Sequence, residues 1–267
     1  MSMNDSILLD VQADVATITL NRPLLGNAID LPMAQALLKA AIECDQQSAI
    51  KTVVLTGSGK LFCAGGDLDS FVAAGDGIGG FLSELAGTLH LAVSRLMRMQ
   101  KPLVVLVNGP AAGAGMSLSL VGDIVLAEPG ASFTPAYGAI GLSPDGGLTW
   151  LLPRLVGLRR AQEIILLNKR ISAEQAQANG LITRVVSEGQ LRSEGIDVAH
   201  SLASMNVSAL GRVRSLLLDT HGTSLETQLE NEARSISSVA GQPYVREKVA
   251  AFVEQRNNKN KKESSHG

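Results

Sequence analysis

The chain has 267 residues, 45% apolar and 18% charged, enough for one large domain or a core with a small appendage. Its net charge is −2 and only 3% of its residues are aromatic, which argues against a basic nucleic-acid-binding face and against base-stacking platforms. No run approaches about 18 uninterrupted apolar residues, so no membrane span is predicted.

The chain opens on MSMNDSILLD, which lacks the basic and apolar segments of a secretory leader, so a cytoplasmic protein is expected. From Ala13 to Leu20 the residues Ala16, Ile18 and Leu20 alternate with Val15, Thr17 and Thr19, the period of a strand. Asn21-Arg22-Pro23 ends it. Asp30 is placed to cap a helix with Pro32 in its first turn, and Ala34, Leu37, Leu38, Ala41 and Ile42 then share one face. Cys44 and Cys63 form neither a CxxC pair nor a zinc spacing, and read as reduced thiols. Thr52–Thr56 is a short apolar strand stopped by Gly57-Ser58-Gly59, and a glycine-rich stretch runs from Gly65 to Gly80. Residues 81–99 have the pattern of an amphipathic helix. Leu103–Val107 is a second continuous apolar strand, Ala111–Gly115 leads into a short helix, and Ile124–Ala127 is a third strand.

Apolar strands separated by helices indicate an α/β fold whose sheet is covered on both faces. After about residue 195 no strand signal remains. The expected organisation is an α/β core over 1–195, a helical region over 196–256, and a polar, disordered tail over 257–267.

Three segments have the make-up of a ligand site. Phe62-Cys63-Ala64-Gly65-Gly66-Asp67-Leu68 follows a buried strand, and its glycines permit positive φ and close approach of a ligand to the backbone. Asn108–Gly115 joins a strand to a helix start, where unpaired N–H groups face outward. Gly141-Leu142-Ser143-Pro144-Asp145-Gly146-Gly147 carries a carboxylate between Pro and Gly. Taken singly, each also fits a plain structural role as a glycine turn, tight strand–helix packing, or a turn aspartate. None matches a nucleotide-binding loop or a nucleophile elbow.

In order, FCAGGDL, VNGPAAGAG and GLSPDGGLTWLLPRLVG, supported by NRPLLGNA, KPLVVLVNG, RISAEQAQANGLI and AFVEQR, resemble the crotonase (enoyl-CoA hydratase/isomerase) superfamily from about Asn21 to Arg256. Within it the pattern is most similar to the isomerases of phenylacetate breakdown. The resemblance implies a spiral of ββα units with a C-terminal helical trimerisation region. It implies an acyl-CoA substrate whose thioester oxygen sits between the N–H groups of Gly66 and Ala114. It further places Ala64, Gly65, Asp67 and Leu68 along the coenzyme A channel, with Arg22 either at a coenzyme A phosphate or a solvated charge. The two glutamates of the family's hydratases correspond to Ser117 and Tyr137, neither suited to activating water near neutral pH. Asp145 is left as the carboxylate that moves a proton, with Tyr137 and Leu142 shaping the acyl pocket. His90 is placed either in that pocket or in the core or at the surface. Phe252 is expected to help close a neighbour's coenzyme A site in a trimer or a hexamer. The expected reaction is isomerisation by one base; hydration, aryl-CoA dehalogenation and non-catalytic acyl-CoA binding are the competing expectations. No metal or redox cofactor is implied, since coenzyme A enters as part of the substrate.

Overall fold

The computed structural model describes residues 6–264. Strands β1 (Ile7–Gln12) and β2 (Val15–Leu20) form a hairpin, with Ala13 at φ +54° in its turn. Helix α1 (Leu31–Gln46) and β3 (Thr52–Gly57) follow, then α2 (Leu68–Ala74), α3 (Ile78–Arg98) and β4 (Leu103–Val107). Next come β5 (Ala111–Ala112), α4 (Ala114–Ser119), β6 (Ile124–Ala127), β7 (Ser132–Thr134), α5 (Leu148–Val156) and α6 (Leu158–Leu166). The remainder is β8 (Ile171–Ser172), α7 (Ala173–Ala178), β9 (Arg184–Val185), α8 (Leu191–Ala203), α9 (Val207–Asp219), α10 (Leu225–Ala240) and α11 (Pro243–Ser264).

Six strands form the main sheet in the order β1-β2-β3-β4-β6-β9, parallel from β2 onward. Every residue of β4 is buried, as expected of a parallel strand covered on both faces. Strand alternation sorts these apolar residues into two cores. Val53, Leu55, Val105 and Val107 face the larger one with Leu37, Ala41, Leu89 and Leu96 of α1 and α3. Val54, Val104 and Leu106 face the other, with Leu191, Ala199 and Ala203 of α8. Gly195 lets α8 lie against β4, because a Cβ there would come within 2.4 Å of the Leu106 side chain. A second, three-stranded sheet, β5-β7-β8, lies outside the main one.

The helix starts obey local chemistry. Asp30 Oδ1 accepts the Met33 N–H at 2.8 Å, capping α1 as its position predicts. The buried stripe of α1 runs through Met33, Ala34, Leu37, Ala40, Ala41 and Cys44. Ile42, expected on that face, is 40% exposed, since the stripe centres on residues 34, 37, 41 and 44 and Ile42 lies to one side of it.

Two compact units divide the chain, residues 1–205 and 206–267. The first extends past the boundary expected at residue 195, because Leu191, Ala199 and Ala203 anchor α8 to the sheet. In the second unit α9, α10 and α11 follow one another, with Asn206 and Ser224 capping the first two. The tail expected to be disordered from 257 is helical to Ser264, for no Gly or Pro lies between Pro243 and Ser264; residues 265–267 of that tail, like 1–5, lie outside the described residues. No helix among the described residues is long and apolar enough to cross a membrane.

One polar side chain ties the first loop to the core. Asn27 is fully buried with φ +56°. Its amide donates to the carbonyls of Ser58, Leu61 and Phe62 at 2.9, 2.9 and 3.1 Å, and its Oδ1 accepts the Arg22 N–H at 2.8 Å. Asn27→Ala strands these groups, so unfolding free energy should fall on the order of 3 kcal/mol. Denaturant titration measures this; a change below about 0.5 kcal/mol, the usual scale of a surface substitution, would contradict it.

Candidate active site

The loops leaving the C-terminal ends of β3 and β4 meet beside the sheet, the usual ligand position in a parallel α/β fold. Strand pairing continues weakly into them: Cys63 bridges Ala111, and the Ala112 N–H donates to the Cys63 carbonyl at 2.9 Å. Glycine makes the approach possible at two points. Gly65 has φ +106°, and a Cβ on it would lie 3.0 Å from the Ala112 oxygen. A Cβ on Gly115 would lie 2.3 Å from the Cys63 oxygen, so α4 can rest directly on the 63–66 turn only because residue 115 has no side chain.

This junction leaves two backbone donors unused. On either side of Gly66, the Gly65 carbonyl accepts the Ile29 N–H at 2.7 Å and the Asp67 N–H donates to the Ile29 carbonyl at 3.0 Å. In extended backbone the intervening N–H of Gly66 points the opposite way. Ala114 is the first residue of α4, so its N–H has no partner within the helix. Neither N–H has an acceptor among the described residues. Gly66 and Ala114 both line a cavity of about 500 Å³ whose walls are largely apolar, with Leu68, Phe71, Leu82, Leu85, Leu89, Ile140 and Leu142 among them.

Asp145 lines the same cavity and is the one carboxylate among its lining residues. Its Oδ1 accepts the Tyr137 O–H at 2.6 Å. Ser117, fully buried on α4, places its Oγ 3.1 Å from the Tyr137 oxygen and 3.0 Å from the Asp145 carbonyl oxygen. Gly146 and Gly147 have φ of +60° and +84°, and a Cβ on Gly146 would strike Ser117 Cβ at 2.7 Å; the Pro-Asp-Gly-Gly turn therefore packs onto the helix that carries Ser117. Ala136, at φ +63°, begins the turn bearing Tyr137, and its N–H donates to Asn168 Oδ1 at 2.8 Å. Burial, with the Asp145 charge and hydrogen bond adding to it, drives the Tyr137 phenol well above its ordinary 10.0, so it stays protonated.

The structure gathers Ala64, Gly65, Gly66, Leu68, Ala114, Tyr137, Leu142 and Asp145 around the cavity. It places others elsewhere. Arg22, expected at a coenzyme A phosphate or in solvent, is only 17% exposed; its Nη2 lies 2.8 Å from Asp67 Oδ2 and 3.2 Å from Asp30 Oδ2. Both groups expected along the coenzyme A channel, Arg22 and Asp67, are thus engaged with each other, and Asp67 also caps α2. His90 is exposed and off the cavity wall; its Nε2 accepts the Gly146 N–H at 3.0 Å, holding the turn behind Asp145. Phe252, expected at a neighbouring subunit's coenzyme A site and not in this cavity, is 69% exposed in the second unit. Sequence reading missed Phe71 and the α3 residues Leu85 and Leu89 as walls, since their spacing signals only an apolar face. It also missed the Ser117–Tyr137–Asp145 chain, whose members are 20 and 8 residues apart.

Comparison with known proteins agrees over nearly the whole chain. The family model described as enoyl-CoA hydratase/isomerase matches residues 10–263. The chain is 37% identical to 1,2-epoxyphenylacetyl-CoA isomerase of Escherichia coli K12 over 95% of this chain and 97% of that one. It is 32% identical to 4-chlorobenzoyl coenzyme A dehalogenase-2 of an Arthrobacter species, over 89% and 87%. Among solved structures, an enoyl-CoA hydratase from Polaromonas sp. JS666 superposes with a TM-score of 0.89 at 31% identity, covering 93% of this chain and 97% of that one.

The buried acids at this site set an alkaline limit. Burial raises the Cys63 thiol from 9.0 to about 12 and drives the Tyr137 phenol upward from 10.0. Both hold their protons more tightly folded than unfolded, so the stability they confer is complete below the unfolded values and is lost as pH rises through the folded ones. Thermal midpoints should therefore drop steeply above about pH 9 to 10, less steeply in Tyr137→Phe. The rise in phenolate absorbance over about pH 9 to 11 should be the same in both proteins while they remain folded; a smaller rise in the variant would show that Tyr137 titrates normally.

Proposed function

This chain is a member of the enoyl-CoA hydratase/isomerase family, and from that premise we propose that it moves the double bond of an enoyl-CoA thioester, with Asp145 as the single acid–base group. The observation that carries the reading is that Asp145 is the one carboxylate lining the cavity that Gly66 and Ala114 also line. In the proposed step Asp145 takes a proton from carbon, and the C–H electron pair shifts through the conjugated system onto the thioester oxygen. The N–H groups of Gly66 and Ala114 form the oxyanion hole that holds this charge, an arrangement worth several kcal/mol when preformed and shielded from water. When the enolate collapses, Asp145 returns the proton two carbons away, so no water, metal or redox partner enters the balance.

Adding water needs a second acid–base group beside the first. At the two positions where the resemblance places glutamates, this chain has Ser117 and a tyrosine held protonated by burial, and that favours isomerisation over hydration. The dehalogenase relative suggests a second reading, with Asp145 attacking an aryl-CoA as nucleophile. That reading needs a base to activate water against the aryl ester, and His90, the nearest histidine to this turn, has its Nε2 lone pair engaged by the Gly146 N–H. The apolar walls suit an uncharged acyl group, and Ala64 to Leu68 are assigned to the coenzyme A portion.

The assembly is proposed to be a trimer or a pair of trimers formed through the second unit. Support comes from the apolar residues its helices expose, among them Leu217, Leu225, Leu229, Ile236 and Phe252. Light scattering at micromolar concentration should return a trimeric or hexameric mass, and a monomer would refute the assignment.

Asp145→Asn keeps the shape of the side chain and removes the base. The turnover number on an isomerisable enoyl-CoA should fall by roughly 10² to 10⁴, while acyl-CoA affinity and thermal midpoint change little. Normal turnover with a lowered midpoint would make Asp145 a turn residue and leave the cavity without a base.

A further inference from the structure

Asp145 is restrained from three directions, more than a turn residue requires. Its carbonyl oxygen lies 3.0 Å from Ser117 Oγ, and the next peptide N–H, that of Gly146, donates to His90 Nε2 at 3.0 Å. These contacts fix the backbone on both sides of the residue. The third contact, from the Tyr137 O–H to Oδ1 at 2.6 Å, acts on the carboxylate itself. The terminal torsion of an aspartate is broad and roughly two-fold, so a fixed backbone alone leaves its oxygens free to exchange places.

Resting on the reading of Asp145 as the acid–base group, we propose that Tyr137 is its positioning residue: the phenol pins Oδ1 and leaves Oδ2 as the oxygen that takes and returns the substrate proton. Several observations carry this. Tyr137 is 9% exposed and its ring is set by a turn whose first N–H is tied to Asn168, so the phenol is itself immobile. Its oxygen also lies 3.1 Å from Ser117 Oγ, which donates its one proton to the Asp145 carbonyl, so the phenol and the turn are braced by the same buried side chain. Burial keeps that proton in place, so the tyrosine orients the carboxylate without competing for the transferred proton. A shuttle that returns its proton two carbons along must keep one oxygen over the same face through both half-reactions, and misplacement by about 1 Å can cost 10²-fold in rate.

The test is a double-mutant cycle of Tyr137→Phe and Asp145→Asn, with kcat, KM and solvent deuterium incorporated per turnover measured for each protein. Tyr137→Phe should lower kcat roughly 10- to 100-fold with KM within about twofold. Deuterium uptake per turnover should rise, because a loosely held carboxylate loses its proton to solvent before returning it. In the Asp145→Asn background the same substitution should cost nothing further, since the two residues act as one unit. An unchanged kcat in Tyr137→Phe, or a loss that simply adds to that of Asp145→Asn, overturns the inference while leaving Asp145's role standing. Full activity in Asp145→Asn overturns both. If Tyr137→Phe does not fold, Ser117→Ala reads the same chain from its other end: kcat should fall about tenfold alone and not at all in the Asp145→Asn background, and additive losses overturn the inference.

Discussion

Two segments of backbone lie against each other here with no side chain between them, and the site depends on that contact. The 63–66 turn and the first turn of α4 approach so closely that a Cβ on Gly115 would sit 2.3 Å from the Cys63 oxygen. Close contact is what puts the Gly66 and Ala114 N–H groups on one cavity wall, each left unpaired by the geometry of its own segment. Backbone N–H groups without protein partners beside apolar walls are costly and rare. Their retention at the end of a sheet, beside an apolar cavity, suits a ligand oxygen that becomes negative only during reaction. The buried amide of Asn27 stands behind the arrangement, fastening the 58–62 segment that leads into the turn.

The proposed reaction also needs a carboxylate held in place against apolar walls. The Pro-Asp-Gly-Gly turn that carries Asp145 packs on α4, so one short helix supports both Asp145 and the Ala114 donor. Ala114 at its start offers a donor, and Ser117 one turn later touches both the Asp145 backbone and Tyr137. Ser117 thus holds the backbone of Asp145, and Tyr137 holds its carboxylate.

Much of this was legible in the sequence because it is written in local chemistry. The buried strands at 52–56, 103–107 and 124–127 are continuous apolar runs, and Asp30 caps its helix as its position demands. Strand β1 was not read from the sequence: Leu8 breaks the alternation of Ile7, Leu9 and Val11 with Asp10 and Gln12, and as an edge strand it buries only Ile7. Strands β8 and β9 have two residues each, too short for any period to register. Of the site, the glycine turns and Asp145 could be named from their motifs. The pairing of Arg22 with Asp67 could not, for it joins residues 45 apart that each look like a free surface charge. His90 behind the Asp145 turn was hidden in the same way, since only the fold reveals which loop a lone histidine meets.

In the proposed reaction, two unpaired backbone donors and one held carboxylate together generate an enolate from an acyl-CoA. Proton–deuterium exchange at the α or γ carbon of an enoyl-CoA, followed in heavy water by mass spectrometry or NMR, is the decisive experiment, because exchange reports the enolate whatever product is released. Enzyme-dependent exchange without net addition of water is the expected result. Tight binding of the acyl-CoA with exchange no faster than in buffer would contradict it and make the protein a binding module.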